Sequence, residues 1–138
     1  MELMNLFKDF EKRVVDALQA LDQIQNHDGP ISFERVAIEP PRDPSHGDVA
    51  TNAAMVLAKL LGTTPRALAE DISRILERDA DIESVSVAGP GFINMKLSAV
   101  FWQRTLSQMI AAGDSFGRST MGEGRKINVE YVSANPTG

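Results

Sequence analysis

Two short alternating runs meet at Gly89-Pro90-Gly91, and this junction restricts the chain more than any other stretch. Residues 84–88 before it and 92–97 after it read as strands, and the Gly-Pro-Gly turn predicts that they pair as a hairpin. In the second strand, alternation places Ile93, Met95 and Leu97 on one face and Phe92, Asn94 and Lys96 on the other. The apolar set is expected to face the core, which leaves an aromatic ring, an amide and an ammonium in a row outside.

The flanking segments are mostly helical. Leu3, Leu6, Phe7, Phe10, Val14, Leu18 and Leu21 recur at three- and four-residue steps, with Asp9 and Arg13 four apart on the wet side. Residues 2–25 therefore read as one amphipathic helix, stopped by the cluster from Asn26 to Pro30. Phe33 to Glu39 reads as a strand, and Pro40-Pro41-Arg42-Asp43-Pro44 forces an extended turn. Ala50 to Leu61 has helical composition and closes on Gly62. Thr64 then caps a helix that starts at Pro65, with Leu68, Ile72, Ile75 and Leu76 as its buried stripe and Glu70 and Arg74 paired outside. Ser98 caps a last helix that Gly113 ends and on which Trp102, Leu106 and Met109 share a face. A Gly-rich linker follows, and Lys126 to Val132 alternates like a strand that has nothing after it to pack on.

The expected class is α+β: a small antiparallel sheet packed against about four helices. The expected organisation is a domain over 1–112, a linker over 113–125 and the start of a second, truncated domain over 126–138.

A chain of 138 residues that is 43% apolar and 24% charged is globular and of one-domain size. With no cysteine, disulfides and thiolate metal sites are excluded. No run approaches the roughly 18 apolar residues of a membrane helix, and Met1-Glu2-Leu3 does not open a signal peptide. A cytoplasmic protein with no membrane partner is expected, and a monomer. The net charge of −5 argues against sequence-independent binding of nucleic acid, which relies on neutralising phosphates. It leaves room for a local RNA contact.

Phe92, Asn94 and Lys96 are the side chains an unstacked base needs: a flat apolar surface, a donor–acceptor pair for its edge, and a cation for its phosphate. The plainer reading has Phe92 tucked under the preceding loop and Asn94 satisfying a strand edge. Asp43-Pro44-Ser45-His46-Gly47-Asp48 groups two carboxylates with an imidazole, but a stable metal site wants at least three ligands in fixed geometry. A turn is expected there, with Asp48, Thr51 or Asn52 capping the next helix, and no metal. Gly89-Pro90-Gly91 precedes a strand, so it is not a phosphate loop. No nucleophile stands with a base in residues 1–112.

Four blocks carry a resemblance over nearly the whole chain. In order they are Ser45-His46-Gly47-Asp48-Val49-Ala50-Thr51-Asn52, then Ala88-Gly89-Pro90-Gly91-Phe92-Ile93-Asn94, then the Gly-rich linker, and last Val129-Glu130-Tyr131-Val132-Ser133-Ala134-Asn135-Pro136-Thr137-Gly138. Together they resemble the amino-terminal region of bacterial-type arginyl-tRNA synthetases, with the last block similar to the first strand and loop of the Rossmann-like catalytic domain. The resemblance implies a domain that contacts the outer corner of tRNA and reads a D-loop nucleotide, with Phe92 stacking on the base and Asn94 bonding its edge. Lys96 matches no family motif; its phosphate role rests on sharing their face. Glu130 matches a position that meets the arginine guanidinium, and Ser133 and Asn135 match positions that hold the α-amino and carboxylate ends.

The whole enzyme would use ATP, with Mg2+, to activate L-arginine and then charge tRNA(Arg). Its nucleotide-binding histidines and later lysine motif would lie beyond Gly138, in the missing catalytic domain. This chain alone is therefore expected to hold no cofactor and to be inactive. A protein-docking module, with Phe92 and the helix faces as its surface, is the alternative.

Overall fold

A computed structural model of the chain describes residues 5–131. Helix α1 spans Leu6–Gln19, and its N-cap Asn5 accepts hydrogen bonds from the amides of Phe7 and Lys8. Its buried residues Phe10, Val14, Ala17 and Leu18 follow the three- and four-residue spacing read from the sequence. The helix does not run on to residue 25. Leu21 is extended (φ −73°, ψ 133°) and buried, and a separate turn of helix, α2, covers Asp22–Gln25. Breaking there turns Leu21 into the core and brings Ile24 against it.

Strand β1 is only Ile38–Glu39, not Phe33–Glu39. The amide of Val36 closes a turn onto the Phe33 carbonyl, and the amide of Ala37 donates to the side chain of Asn52, so these groups are satisfied without a ladder. The largest departure is β2, Val49–Thr51, in a stretch whose Ala50 and Thr51 read as the start of a helix. It is wedged between β1 and β4, and those neighbours override the helical reading of Ala50 and Thr51. Helix α3 is correspondingly short, Ala53–Leu57. Asn52 holds its cap position but makes no side-chain cap bond there.

Helix α4, Pro65–Leu76, starts as expected on Thr64, whose hydroxyl accepts from the Ala67 amide, and buries Leu68, Ile72 and Leu76. Arg74 pairs with Asp71 rather than Glu70, one turn position closer. The hairpin forms: β3 (Ile82–Ala88) and β4 (Phe92–Leu97) are antiparallel, and the sheet order is β1-β2-β4-β3 with every pair antiparallel. The helices cover the face that carries Ile93, Met95 and Leu97, all buried.

Helix α5 covers Ala99–Ala112, capped by Ser98 and ended at Gly113 with φ +53°. It buries only Phe101. Trp102, Leu106 and Met109 do share a face, but that face meets water. From 126 to 131 no residue joins a ladder, and Ile127, Val129 and Tyr131 are exposed. A lone strand has no partner for its backbone groups, so alternation alone does not make one. Among the described residues no helix is long and apolar enough to cross a membrane.

One polar cluster ties these parts together. The Arg13 guanidinium reaches Asp9, Asp79 and Asp81 at 2.8–2.9 Å, and Asp81 also takes Arg104 of α5. Arg13 lies 4.8 Å from the centre of the Phe10 ring, which packs edge-on against Phe101. The hydrogen bond from Arg104, and then that from Arg13, hold the Asp81 carboxyl below its usual range although its partial burial works the other way. A carboxyl lowered by folding contributes stability that is full above its unfolded pKa and lost as pH falls through the folded value. Asp81→Asn is therefore expected to be less stable than the parent at neutral pH, with the gap closing below about pH 4. Urea titrations at several pH values check this; a gap constant with pH would contradict it.

Candidate functional site

Strand β4 lies in the interior of the sheet, paired along both edges with β2 and β3. Opposite the core face stand Phe92, half-buried, Asn94, only 5% exposed, and Lys96, exposed. Alternation had put all three in the open. They do share a face, but Asn94 is flanked by Ala50 of β2 and Ser86 of β3, and the segment from Pro40 to His46 comes over the sheet. Beneath that segment is a cavity of about 350 Å³, with Asn94 and Phe92 in its lining.

The covering segment is held as a rigid strap. Pro40, Pro41 and Pro44 fix its backbone. Asp43 caps a single 3-10 turn, Pro44–His46, by accepting from the Ser45 amide at 2.9 Å. Hydrogen bonding from Ser45 holds the Asp43 carboxyl below its usual range. Gly47 (φ +145°) then lies so close to β4 that a Cβ would fall 2.6 Å from the Met95 carbonyl oxygen. Asp48 completes the attachment: its amide donates to the Met95 carbonyl, and its carboxylate accepts from the Leu97 amide, each at 2.8 Å. Asp48 is therefore a strap anchor rather than a helix cap. Among the described residues no group of three or more such side chains gathers as a metal site.

Two asparagines line this cavity and differ in use. Asn52 is fully engaged, accepting from the Ala37 amide at 2.8 Å and donating to the Arg35 carbonyl at 3.1 Å. The Asn94 amide bonds to no described residue, yet no enclosed side-chain polar atom is left unsatisfied. It opens on the cavity. Apolar walls come from Phe92, Pro40, Pro41 and Pro90, while Arg42 and His46 stand exposed at the mouth. An apolar slot with one free amide at its floor suits a flat heterocycle with a polar edge.

The site residues read from the sequence are not all gathered here. Lys96 lies outside the cavity lining and pairs with Glu83 at 3.2 Å. Glu130 is exposed and far along the chain from these elements, while Ser133 and Asn135 lie outside the described residues. Arg42, His46 and Asn52 were missed as wall residues. The signal that would have found them is the pairing of β2 with β4, which brings the strap over Asn94.

Residues 8–97 match the family described as the arginyl tRNA synthetase N terminal domain. The chain is 64% identical over 135 residues to an arginine–tRNA ligase of Rhizobium leguminosarum bv. trifolii, covering 98% of this chain and 23% of that protein. It is 60% identical, over the same shares, to the arginine–tRNA ligase of Agrobacterium fabrum. The chain thus spans about a quarter of the length of these relatives. Among solved structures, the arginyl-tRNA synthetase of Plasmodium falciparum superposes with a TM-score of 0.63 at 16% identity, over 79% of this chain and 19% of that one. The Thermus thermophilus enzyme gives 0.54 at 22% identity, over 72% and 15%. These two likenesses concern the fold. The family match and the close relatives agree on one assignment: the chain belongs to the arginyl-tRNA synthetase N-terminal domain family.

Proposed function

We propose that this chain is the tRNA-contacting part of an arginine–tRNA ligase, and that its cavity receives one D-loop nucleotide. The base stacks on Phe92 and bonds its edge to Asn94. The observation that carries this is Asn94: the residue is only 5% exposed, its side-chain amide bonds to no described residue, and it lines the cavity. Its hydrogen-bonding capacity is left to whatever enters the cavity, water or the edge of a ligand. Lys96 lies further along the same strand, and its phosphate contact would compete with Glu83.

The ligase as a whole activates L-arginine with ATP and Mg2+ and transfers it to tRNA(Arg), in the cytoplasm and as a monomer. In that enzyme residues 1–112 form the tRNA-contacting domain, 113–125 the linker and 126–138 the start of the catalytic domain. Glu130, Ser133 and Asn135 belong to its arginine pocket. No metal-dependent step is assigned to the described residues. The exposed stripe of Trp102, Leu106 and Met109 favours a docking role for α5 as well. That role uses a surface other than the cavity.

Phe92→Ala and Asn94→Ala are each expected to weaken tRNA(Arg) binding by the complete ligase by about 1–3 kcal/mol. Filter or fluorescence titration measures it. Wild-type affinity in both variants would sink the base-reading role.

A further inference from the structure

The cavity is graded in depth. Asn94 forms its floor at 5% exposure, while Arg42 lies at the mouth, exposed. A nucleotide entering such a slot puts its base inside and leaves its phosphates outside, because a phosphate loses too much hydration to be buried. Arg42 takes part in none of the ion pairs among the described residues, and its guanidinium donates no hydrogen bond there. Lys96, the cation that strand alternation pointed to, is paired with Glu83 and is not in the lining.

From this we infer that Arg42 binds the phosphodiester of the nucleotide whose base occupies the cavity. The inference rests on the base-reading proposal and adds the group that holds the backbone. Glu39 and Asp43 share the mouth with Arg42, so the rim carries no net positive charge to attract a polyanion in bulk. The contact depends instead on the planar, two-pronged fit of a guanidinium to phosphate oxygens. The strap makes that fit specific. Its prolines, the Asp43 cap and the Gly47 contact with β4 restrain the backbone that carries Arg42.

The test is a salt series of tRNA(Arg) binding by the complete ligase, with Arg42→Ala, Arg42→Lys, Phe92→Ala and Asn94→Ala. Arg42→Ala is expected to bind several-fold more weakly at low salt, and its plot of log K against log salt should be shallower by about 0.7–0.9, as for one lost phosphate contact. Arg42→Lys keeps the slope and loses part of the affinity. Asn94→Ala and Phe92→Ala keep the wild-type slope. Unchanged affinity and slope in Arg42→Ala would overturn the inference. So would a changed base preference at constant slope, which would make Arg42 a base contact. If Arg42→Ala loses affinity and slope while Phe92→Ala and Asn94→Ala bind normally, the base-reading role fails, and the inference is overturned with it: Arg42 then meets a phosphate, but not that of a nucleotide seated in the cavity.

Discussion

Gly47→Ala is expected to destabilise the domain by about 2–5 kcal/mol and to lose tRNA binding with it. Two costs combine. The backbone at φ +145° is unfavourable for any residue with a Cβ, and the added carbon would stand 2.6 Å from the Met95 oxygen and 2.9 Å from its carbonyl carbon. Neither atom can step aside, because Met95 lies in the central strand and is paired with Val49 and Val85. The strap must lift, taking with it the Asp48 bonds to β4 and the roof of the cavity. Gly62 is the control. Its φ of +65° also disfavours alanine, but nothing lies within 4 Å of the added carbon. Gly62→Ala should therefore cost only the backbone term of about 1–2 kcal/mol. Urea denaturation of the two variants separates strain from collision, and equal losses would remove the collision from the account.

Phe101→Ala should cost about 3–5 kcal/mol, as for other buried aromatics. Phe101 is the only fully buried side chain of α5, set edge-on to Phe10 at 5.5 Å. Without it, α5 is held by its Ser98 start and the Arg104–Asp81 pair, both near the helix N-terminus. The helix is then expected to lose amide protection along its length before the sheet does. Trp102, the sole tryptophan, is 41% exposed and packs against Phe101 at 5.3 Å, so its emission should shift to the red. Leu106→Ala, on the exposed stripe at 57%, should change stability by less than about 0.5 kcal/mol. A large loss there would mean that the stripe is covered.

These two positions also show what could be read from the residues. The hairpin around Gly89-Pro90-Gly91, the capped α4 and the inward face of β4 are local: turn residues, a cap and a two-residue period carry them. The sheet order is not local. Val49–Thr51 is too short to declare a period, and it becomes a strand only because Ile38 and Met95 flank it. Missing that strand left the strap looking like an ordinary turn and made Asn94 look exposed. On α5 the apolar period was real, but periodicity records that a face is apolar and not whether anything covers it. The pairing of Phe92 with Asn94 was legible from strand parity and from the family resemblance. The cavity that joins them to Arg42 was not, since it depends on contacts across some fifty residues of chain.

The central claim is that the Asn94 amide reads a base. The most direct measurement is a double-mutant cycle: wild-type ligase and Asn94→Ala, each titrated with tRNA(Arg) carrying the native D-loop base or a substituted one. The account predicts that wild type discriminates between the two tRNAs and that Asn94→Ala loses most of that discrimination, with a coupling of about 1 kcal/mol or more. Phe92→Ala should weaken both tRNAs alike, because stacking accepts any base. Equal discrimination by wild type and Asn94→Ala would contradict the account.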